Sequence, residues 1–393
     1  MIRTHKIKLL PNAKMRHILD ANFGYARYCY NQALEIWNTM YESYCVTNDK
    51  SFQPNHYKVR NTLVDEKEDW QYNYSSRILQ QACFNLNRAW KNFFNPNMVH
   101  AKPPKFKSKR NHKQSFTTDR AKVVNNYLVL DHPRQVKYDK IRMTEFLRFT
   151  GTVKTTTITK RGDKYFASIV VEISSSGFNA ISDTGIDAID MNIQHLNTRY
   201  QVLNTLPQRL LKKYDAIKHY NRLLAGKRKI NPKHFRSHNY VKIQKKMNQS
   251  YLDIYNIQQD AIQKFSTNVL KQVNTIVLED LDVNKMKMNR RIAKNVHRGL
   301  FGRTRLIFEY KARLQHKAFI LADRFYPSTQ RCSNCGNIKT ATSYGGKQTL
   351  SGDKIHHEHQ NYYCYNCGTV INRDKNAVEN LIQYAAGLSA ATV

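Results

Sequence analysis

Residues 361–387 read NYYCYNCGTVINRDKNAVENLIQYAAG, and upstream residues 328–340 read STQRCSNCGNIKT. Two CxxC pairs, each followed by glycine, stand directly ahead of an aspartate that opens a helical run. A CxxC-Gly turn lets both sulfurs of a pair approach one ion, and two such knuckles supply Cys332, Cys335, Cys364 and Cys367 as a closed tetrahedral set. Zinc suits that set better than an iron–sulfur cluster, whose cysteines crowd together differently in sequence. Four protein ligands leave no open coordination position, so the metal expected here is structural and does no chemistry. His356, His357 and His359, between the pairs, are competing ligands, although a polar loop of this kind is ordinarily solvated. Cys29, Cys45 and Cys83 remain of the seven cysteines and read as buried free thiols.

Chemistry therefore falls to the acids. Asp374, in NRDKNAVENL, either caps a helix or serves as a ligand at its start. Residues 183–200, DTGIDAIDMNIQHLNTRY, place Asp187 and Asp190 in a short apolar strand, and residues 274–286, NTIVLEDLDVNKM, end a buried-type strand at Glu279 with Asp280 next. Three dispersed carboxylates that a fold brings together suit hard Mg²⁺, which takes oxygen ligands and, as a pair of ions, clamps the attacking and leaving oxygens of a phosphodiester. Side chains alternate along a strand, so Asp187 and Asp190, three apart, face opposite ways and only one can join such a cluster.

The 393 residues carry 64 Lys and Arg against 29 acids, a formal charge of +35 and a pI near 9.9. Self-repulsion on that scale destabilises a compact state unless a polyanion offsets it, which points to nucleic acid. Apolar runs fall short of the ~20 residues a membrane span needs, and the opening MIRTHKIKLLPNAK has no apolar signal core, so the expected location is the cytoplasm. The stretch AKPPKFKSKRNHKQSF reads as a solvated linker whose Lys105, Lys107, Lys109 and Arg110 suit a phosphate backbone. NRRIAKNVHR adds Arg290, Arg291 and Lys294 as candidate nucleic-acid contacts.

Along the chain, IRTHKIKLL reads as a strand, followed by a helix bearing Met15, Ile18, Leu19, Phe23 and Tyr30 near a 3.6 period. SSRILQQACFNLNRAWKNFFNP is a second helix, capped by Ser75 or Ser76, with Ile78, Ala82, Leu86, Trp90 and Phe93 as a core stripe. AKVVNNYLVLDH and VKTTTITKRGDKYFASIVVEI are hairpins turning at Asn125–Asn126 and Gly162–Asp163. Helices and a small β-barrel account for residues 1 to about 180, SSSGFNA breaks the pattern, and strands alternating with helices after it define an α/β domain.

These motifs, in this order, resemble the TnpB proteins of insertion sequences, relatives of type V CRISPR effectors. The resemblance spans nearly the whole chain: LLPNAKMRHILDANFGYARYCYNQAL at the start, KPPKFKSKRNHKQSF, IDMNIQHLNT, VLEDLDVNKM, LIFEYKARL, FYPSTQRCSNCG and YYCYNCGTVINRDKNAVENL. It implies an α+β multidomain protein. A wedge-like β-barrel (1–10 and 115–180) carries a helical recognition insertion with the basic linker (11–114). An RNase H-like, RuvC-type nuclease domain (181–331 and 370–393) carries an inserted zinc ribbon (332–369). Asp190, Glu279 and Asp374 become ligands of two catalytic Mg²⁺ ions, and the four cysteines hold structural Zn²⁺. The implied partners are a guide RNA from the transposon end and target double-stranded DNA, with no membrane and no small-molecule substrate, in a prokaryotic cytoplasm and at the nucleoid when DNA is bound. The family's first segment usually reads Gly-Ile-Asp-x-Gly, whereas this chain has Ala188-Ile189-Asp190-Met191-Asn192. Two rival readings are a strand-transfer transposase or recombinase, which shares the carboxylate fold, and a binding-only RNA-guided repressor, which would lack the acids. Affinity for a structured RNA is expected to fall steeply with salt through counterion release. Cutting of target duplex by RNA-free protein as fast as by the complex would refute the guided reading.

Overall fold

The computed structural model describes residues 2–98, 101–110, 113–173, 185–339 and 360–390, so the SSSGFNA break lies outside the described residues. The chain forms two compact units, Met1–Ser176 and Gly177–Val393.

The first unit opens with strand β1 (Ile2–Leu10), in which His5, Ile7 and Leu9 alternate inward. Helix α1 (Ala13–Thr47) starts where the Asn12 carboxamide oxygen accepts from Met15 N, and it stops at Asn48, left-handed at φ 55°. Helix α2 (His56–Asp65) is capped by Asn55 and was not legible in the sequence. Helix α3 (Ser76–Phe93) is capped by Ser75, whose hydroxyl accepts from Arg77 N, and it buries Ile78, Ala82, Leu86 and Trp90. Trp90 stacks on Trp37 with ring centroids 6.0 Å apart, which places the aromatics in the core.

Strands β2 (Lys113–Thr118), β3 (Lys122–Val124), β4 (Tyr127–Val129), β5 (Ile141–Met143), β6 (Thr152–Arg161) and β7 (Lys164–Glu172) join β1 in one sheet of order β2-β6-β7-β1-β5-β4-β3. The two expected hairpins turn at Asn125, φ 53°, and Gly162, φ 58°. The chain order forces this sheet to curl. β2 and β3 stand at its opposite ends, and four residue steps from Thr118 to Lys122 span at most roughly 14 Å. A flat sheet of that order would separate them by roughly 29 Å.

Two expectations are corrected in this unit. Cys29 and Cys83 are buried, but Cys45 is exposed. The basic segment is not uniformly solvated: Asn31 exchanges two hydrogen bonds with the Lys107 backbone, at 2.8 and 3.1 Å, and the Lys107 ammonium lies 3.5 Å from the centre of the Tyr30 ring. Although much of the Lys107 surface is exposed, desolvation of the ammonium brings its pKa down to about 8.

The second unit is a three-layer α/β arrangement. Strands β8 (Ile186–Met191), β9 (His195–Asn197) and β10 (Val202–Asn204) form an antiparallel meander, followed by helices α4 (Gln208–Ile230) and α5 (His238–Gln272). Strand β11 (Thr275–Glu279) pairs parallel with β8. After α6 (Val283–Met288), α7 (Ala293–Arg298) and α8 (Phe301–Leu314), strand β12 (Ala318–Ala322) pairs parallel with β11, giving the order β10-β9-β8-β11-β12. A short hairpin, β13 (Asn361–Tyr363) with β14 (Val370–Asn372), leads into helix α9 (Arg373–Ala390). Alternation along the central strands builds two cores. Ile189, Ile276 and Leu278 pack with Phe265 of α5 and Phe308 of α8, while Ala188 and Val277 pack with Val378, Leu381 and Ala385 of α9. Among the described residues no helix is long and apolar enough to cross a membrane.

Charge reversals in the basic segment should therefore separate. Lys105→Glu, Lys109→Glu and Arg110→Glu weaken nucleic-acid binding and leave Tm unchanged, because these side chains are exposed. Lys107→Glu also lowers Tm by about 3 °C or more, since it sets a carboxylate against the electron-rich face of Tyr30. Equal Tm values for all four variants would show that Lys107 is not an anchor.

Candidate active site

Asp190 and Glu279 leave the sheet side by side. The parallel register pairs Ile189 with Leu278, so the next position on each strand is an acid. Asp190 and Glu279 share phase with Ala188 and Val277, which face α9, and Asp374 stands in the first turn of that helix.

Asn197 ties two of these acids together. It pairs with Asp190 across the β8–β9 ladder, and its amide donates to Asp190 Oδ2 at 3.3 Å and to Asp374 Oδ2 at 3.2 Å. Asn192 Nδ2 donates to the same Asp190 oxygen at 2.8 Å. Glu279 Oε1 accepts from the Ser328 hydroxyl at 2.6 Å. Burial, then repulsion from Glu279 and Asp374, pushes the Asp190 carboxyl up to about 8, and burial raises Glu279 as well. Asp374 remains part-exposed, 3.3 Å from the Arg373 guanidinium, in a groove also lined by His195, Asn197, Tyr200 and Lys375. A hard divalent cation fits this donor set: oxygen ligands, an excess of like charge, and orienting partners that are mostly neutral amides and a hydroxyl.

Asp187 has a different task. Its Oδ1 accepts from Ala188 N at 2.7 Å and Arg199 N at 3.1 Å, which fixes the chain beyond β9. The Arg199 side chain in turn pairs with Glu379 on α9.

The four cysteines converge, with all their sulfurs within 4.8 Å of one another. Cys332 and Cys367 are 3.8 Å apart, and Cys335 and Cys364 are 3.6 Å apart. Sulfurs about 2.3 Å from a tetrahedral zinc have edges of about 3.8 Å, so the cluster has the size such an ion requires. The two knuckles repeat one geometry. Gly336 N donates to Cys332 O and Gly368 N to Cys364 O, each at 2.9 Å, and both glycines are left-handed, at φ 74° and 72°. His356, His357 and His359 lie outside the described residues.

Lys105, Lys109, Arg110, Arg290, Arg291 and Lys294 are exposed. Lys294 lines an open groove with Tyr214, Arg222 and Arg298, and Arg298 lies 4.2 Å from the Tyr214 ring centre. Sequence reading missed Asn197, Ser328, Asn376 and Asn380. The two asparagines of α9 were within reach, since polar residues four apart on the inward face of an amphipathic helix demand partners.

Three family models match in chain order: a helix-turn-helix domain over residues 1–44, "Probable transposase" over 182–290, and "Cas12f1-like, TNB domain" over 301–381. Residues 2–47 form one strand and one long helix, not two helices joined by a turn. A protein of Streptomyces pristinaespiralis named "Putative RNA-guided DNA endonuclease" is 26% identical over 391 residues, covering 99% of this chain and 90% of that protein. "Putative RNA-guided DNA endonuclease InsQ" of Escherichia coli K12 is 26% identical over 421 residues, covering 98% and 92%. A structure of Cas12f1 with sgRNA and target DNA covers 97% of this chain and 98% of that one at 12% identity, with a TM-score of 0.46. The chain belongs to the TnpB family of insertion-sequence proteins.

Proposed function

We propose that this protein is an RNA-guided DNA endonuclease whose Asp190, Glu279 and Asp374 hold two Mg²⁺ ions. The observation that carries the reading is the placement of Asp190 and Glu279 at the carboxyl ends of two adjacent inner strands of a sheet ordered β10-β9-β8-β11-β12, with the helix-start Asp374 bridged to Asp190 by the Asn197 amide. That order, three antiparallel strands followed by two added in parallel, is the RNase H-like arrangement, and the hairpin and knuckles between β12 and α9 make the zinc ribbon an insertion in it. In the first unit the curled sheet is the wedge-like barrel, with α1 to α3 as the recognition insertion.

Asp190, Glu279 and Asp374 would hold the two ions, which would supply an activated water and neutralise charge that develops on the phosphodiester. The chain's part is to orient and to exclude. Asn197 holds Asp190 and Asp374 in fixed relation, and burial keeps bulk water from Asp190. No covalent enzyme intermediate is required. A guide RNA from the transposon end selects the sequence by pairing with target double-stranded DNA. Exposed Lys105, Lys109, Arg110, Arg290, Arg291 and Lys294 bind backbone phosphates, as the charge of +35 suits. The "Probable transposase" description of the matched family model favours strand transfer as the second reading; joined rather than hydrolysed DNA ends in a cleavage assay would establish it.

Cys335→Ser or Cys364→Ser is expected to release zinc, measured by plasma mass spectrometry, and to lower Tm. Stoichiometric zinc in a Cys332/Cys335 double serine variant would overturn the four-cysteine assignment and bring His356, His357 and His359 forward. Asp190→Ala should abolish cleavage while RNA and DNA binding persist, because the basic surfaces remain. Asp187→Ala should lower Tm and retain cutting, since it frees two backbone N–H groups without touching the cluster. Cutting by Asp190→Ala beside a dead but folded Asp187→Ala would reverse the assignment.

A further inference from the structure

The loop between β12 and the first cysteine knuckle carries Ser328, which is 5% exposed and donates to Glu279 Oε1 at 2.6 Å. Helix α9 sets the place of that loop. The Asn380 amide donates to both Ser328 O and Arg331 O at 2.7 Å, and Asn376 Nδ2 donates to Arg331 O at 2.7 Å. Asn376 Oδ1 accepts from Ser333 N at 2.9 Å, and the Tyr326 hydroxyl donates to Asn380 O at 2.9 Å. Asn376 and Asn380 are both fully buried, so these bonds face no competition from water. Cys332 follows Arg331 directly. An unbroken run of short contacts thus joins the four-cysteine cluster, through the loop that Asn380 grips, to one carboxylate of the acid cluster.

We infer that Ser328 is a positioning residue for Glu279, and that the knuckle and Asn380 together keep its hydroxyl in place. The inference rests on the reading of Glu279 as a cation ligand. A glutamate has three rotatable bonds, and without a partner its carboxylate samples rotamers that aim away from Asp190. The Met191 backbone N–H meets the Glu279 carboxyl group as well, and the Ser328 hydroxyl on Oε1 narrows the freedom that remains without bringing in the positive charge of a Lys or Arg partner. Ser328 therefore acts through Glu279, and the cysteine cluster acts through Ser328. The role of the metal-binding knuckles includes aiming a particular acid as well as folding a ribbon.

The test uses the full chain with zinc bound and nucleic acid removed, titrated with Mn²⁺ and followed by paramagnetic resonance of the free ion. Ser328→Ala is expected to weaken Mn²⁺ binding on the order of tenfold, the usual effect of removing a partner that orients a metal ligand. Zinc content and Tm should stay at wild-type values. Ser328→Thr, which keeps the hydroxyl, should restore affinity. In the RNA-loaded protein the Mg²⁺ needed for half-maximal cleavage should rise by the same factor, with the rate recovering at high Mg²⁺. Asn380→Ala should reproduce the Mn²⁺ shift and lower Tm as well. Glu279→Gln is the control. If it loses Mn²⁺ binding while Ser328→Ala keeps wild-type affinity, the positioning role is refuted. Should neither variant change Mn²⁺ binding, Glu279 is no ligand and the reading beneath the inference falls with it.

Discussion

The register of β8 against β11 is the constraint on which the site depends. Ile276, Val277 and Leu278 are fully buried between the helices on either face, and each such side chain contributes about 1.5–3 kcal/mol when removed from water. That burial holds the strands in the alignment that pairs Ile189 with Leu278, and Asp190 and Glu279 follow as neighbours at the carboxyl ends. Their mutual repulsion and desolvation are visible in the raised pKa of Asp190. Left to themselves the two acids would separate. A slip of one residue would relieve them but turn every core side chain of the strand to the wrong face.

Helix α9 answers to two surfaces at once. Ala377, Val378, Leu381 and Ala385 are buried, and the last three pack on the sheet, while Asn376, Asn380 and Gln383 grip the loop from Ser328 to Ser333. The spacing of four and three residues puts that second set along one edge of the helix. Asp374 at the helix start is therefore located by contacts made along the turns behind it. The grip is imperfect in one respect: Asn380 Oδ1 is buried with no partner among the described residues, while its amide nitrogen serves two carbonyls. A buried unpaired oxygen costs about 1–3 kcal/mol, so this asparagine is kept for where it places the loop rather than for stability alone.

What the sequence made legible is what local pattern encodes. The strand at Ile2–Leu10, the cap at Ser75, the turns at Asn125 and Gly162 and the CxxC-Gly knuckles each follow from residues within a few positions of one another. The opposition of Asp187 and Asp190 followed from strand alternation in the same way. The elements missed lack such a signal. β5 is three residues, Ile141–Met143, and exists because β1 and β4 flank it. Asn197 and Ser328 are single polar residues whose partners, Asp374 and Glu279, lie far along the chain, so no spacing rule points to them. Lys107 failed for a related reason. Its neighbours predict a solvated run, and only Tyr30 and Asn31, in a helix far upstream, single it out.

Asn192 shows how a departure from a family pattern is accommodated. Glycine is needed at a turn when the backbone enters the left-handed region, and Asn192 is not among the residues of positive φ. Its side chain donates to Asp190 Oδ2, the same oxygen that Asn197 holds. Both neutral donors thus fall on one oxygen of Asp190, which orients the carboxyl group without adding a positive charge. The next acid along from Glu279 makes the contrast plain. Asp280 pairs with Arg305 at 2.9 Å and Arg324 at 2.6 Å, so its charge is neutralised within the fold. Of two adjacent acids at the end of one strand, the one given to arginines is a structural pair. The other, Glu279, accepts from the Ser328 hydroxyl instead of an arginine, and burial raises its pKa.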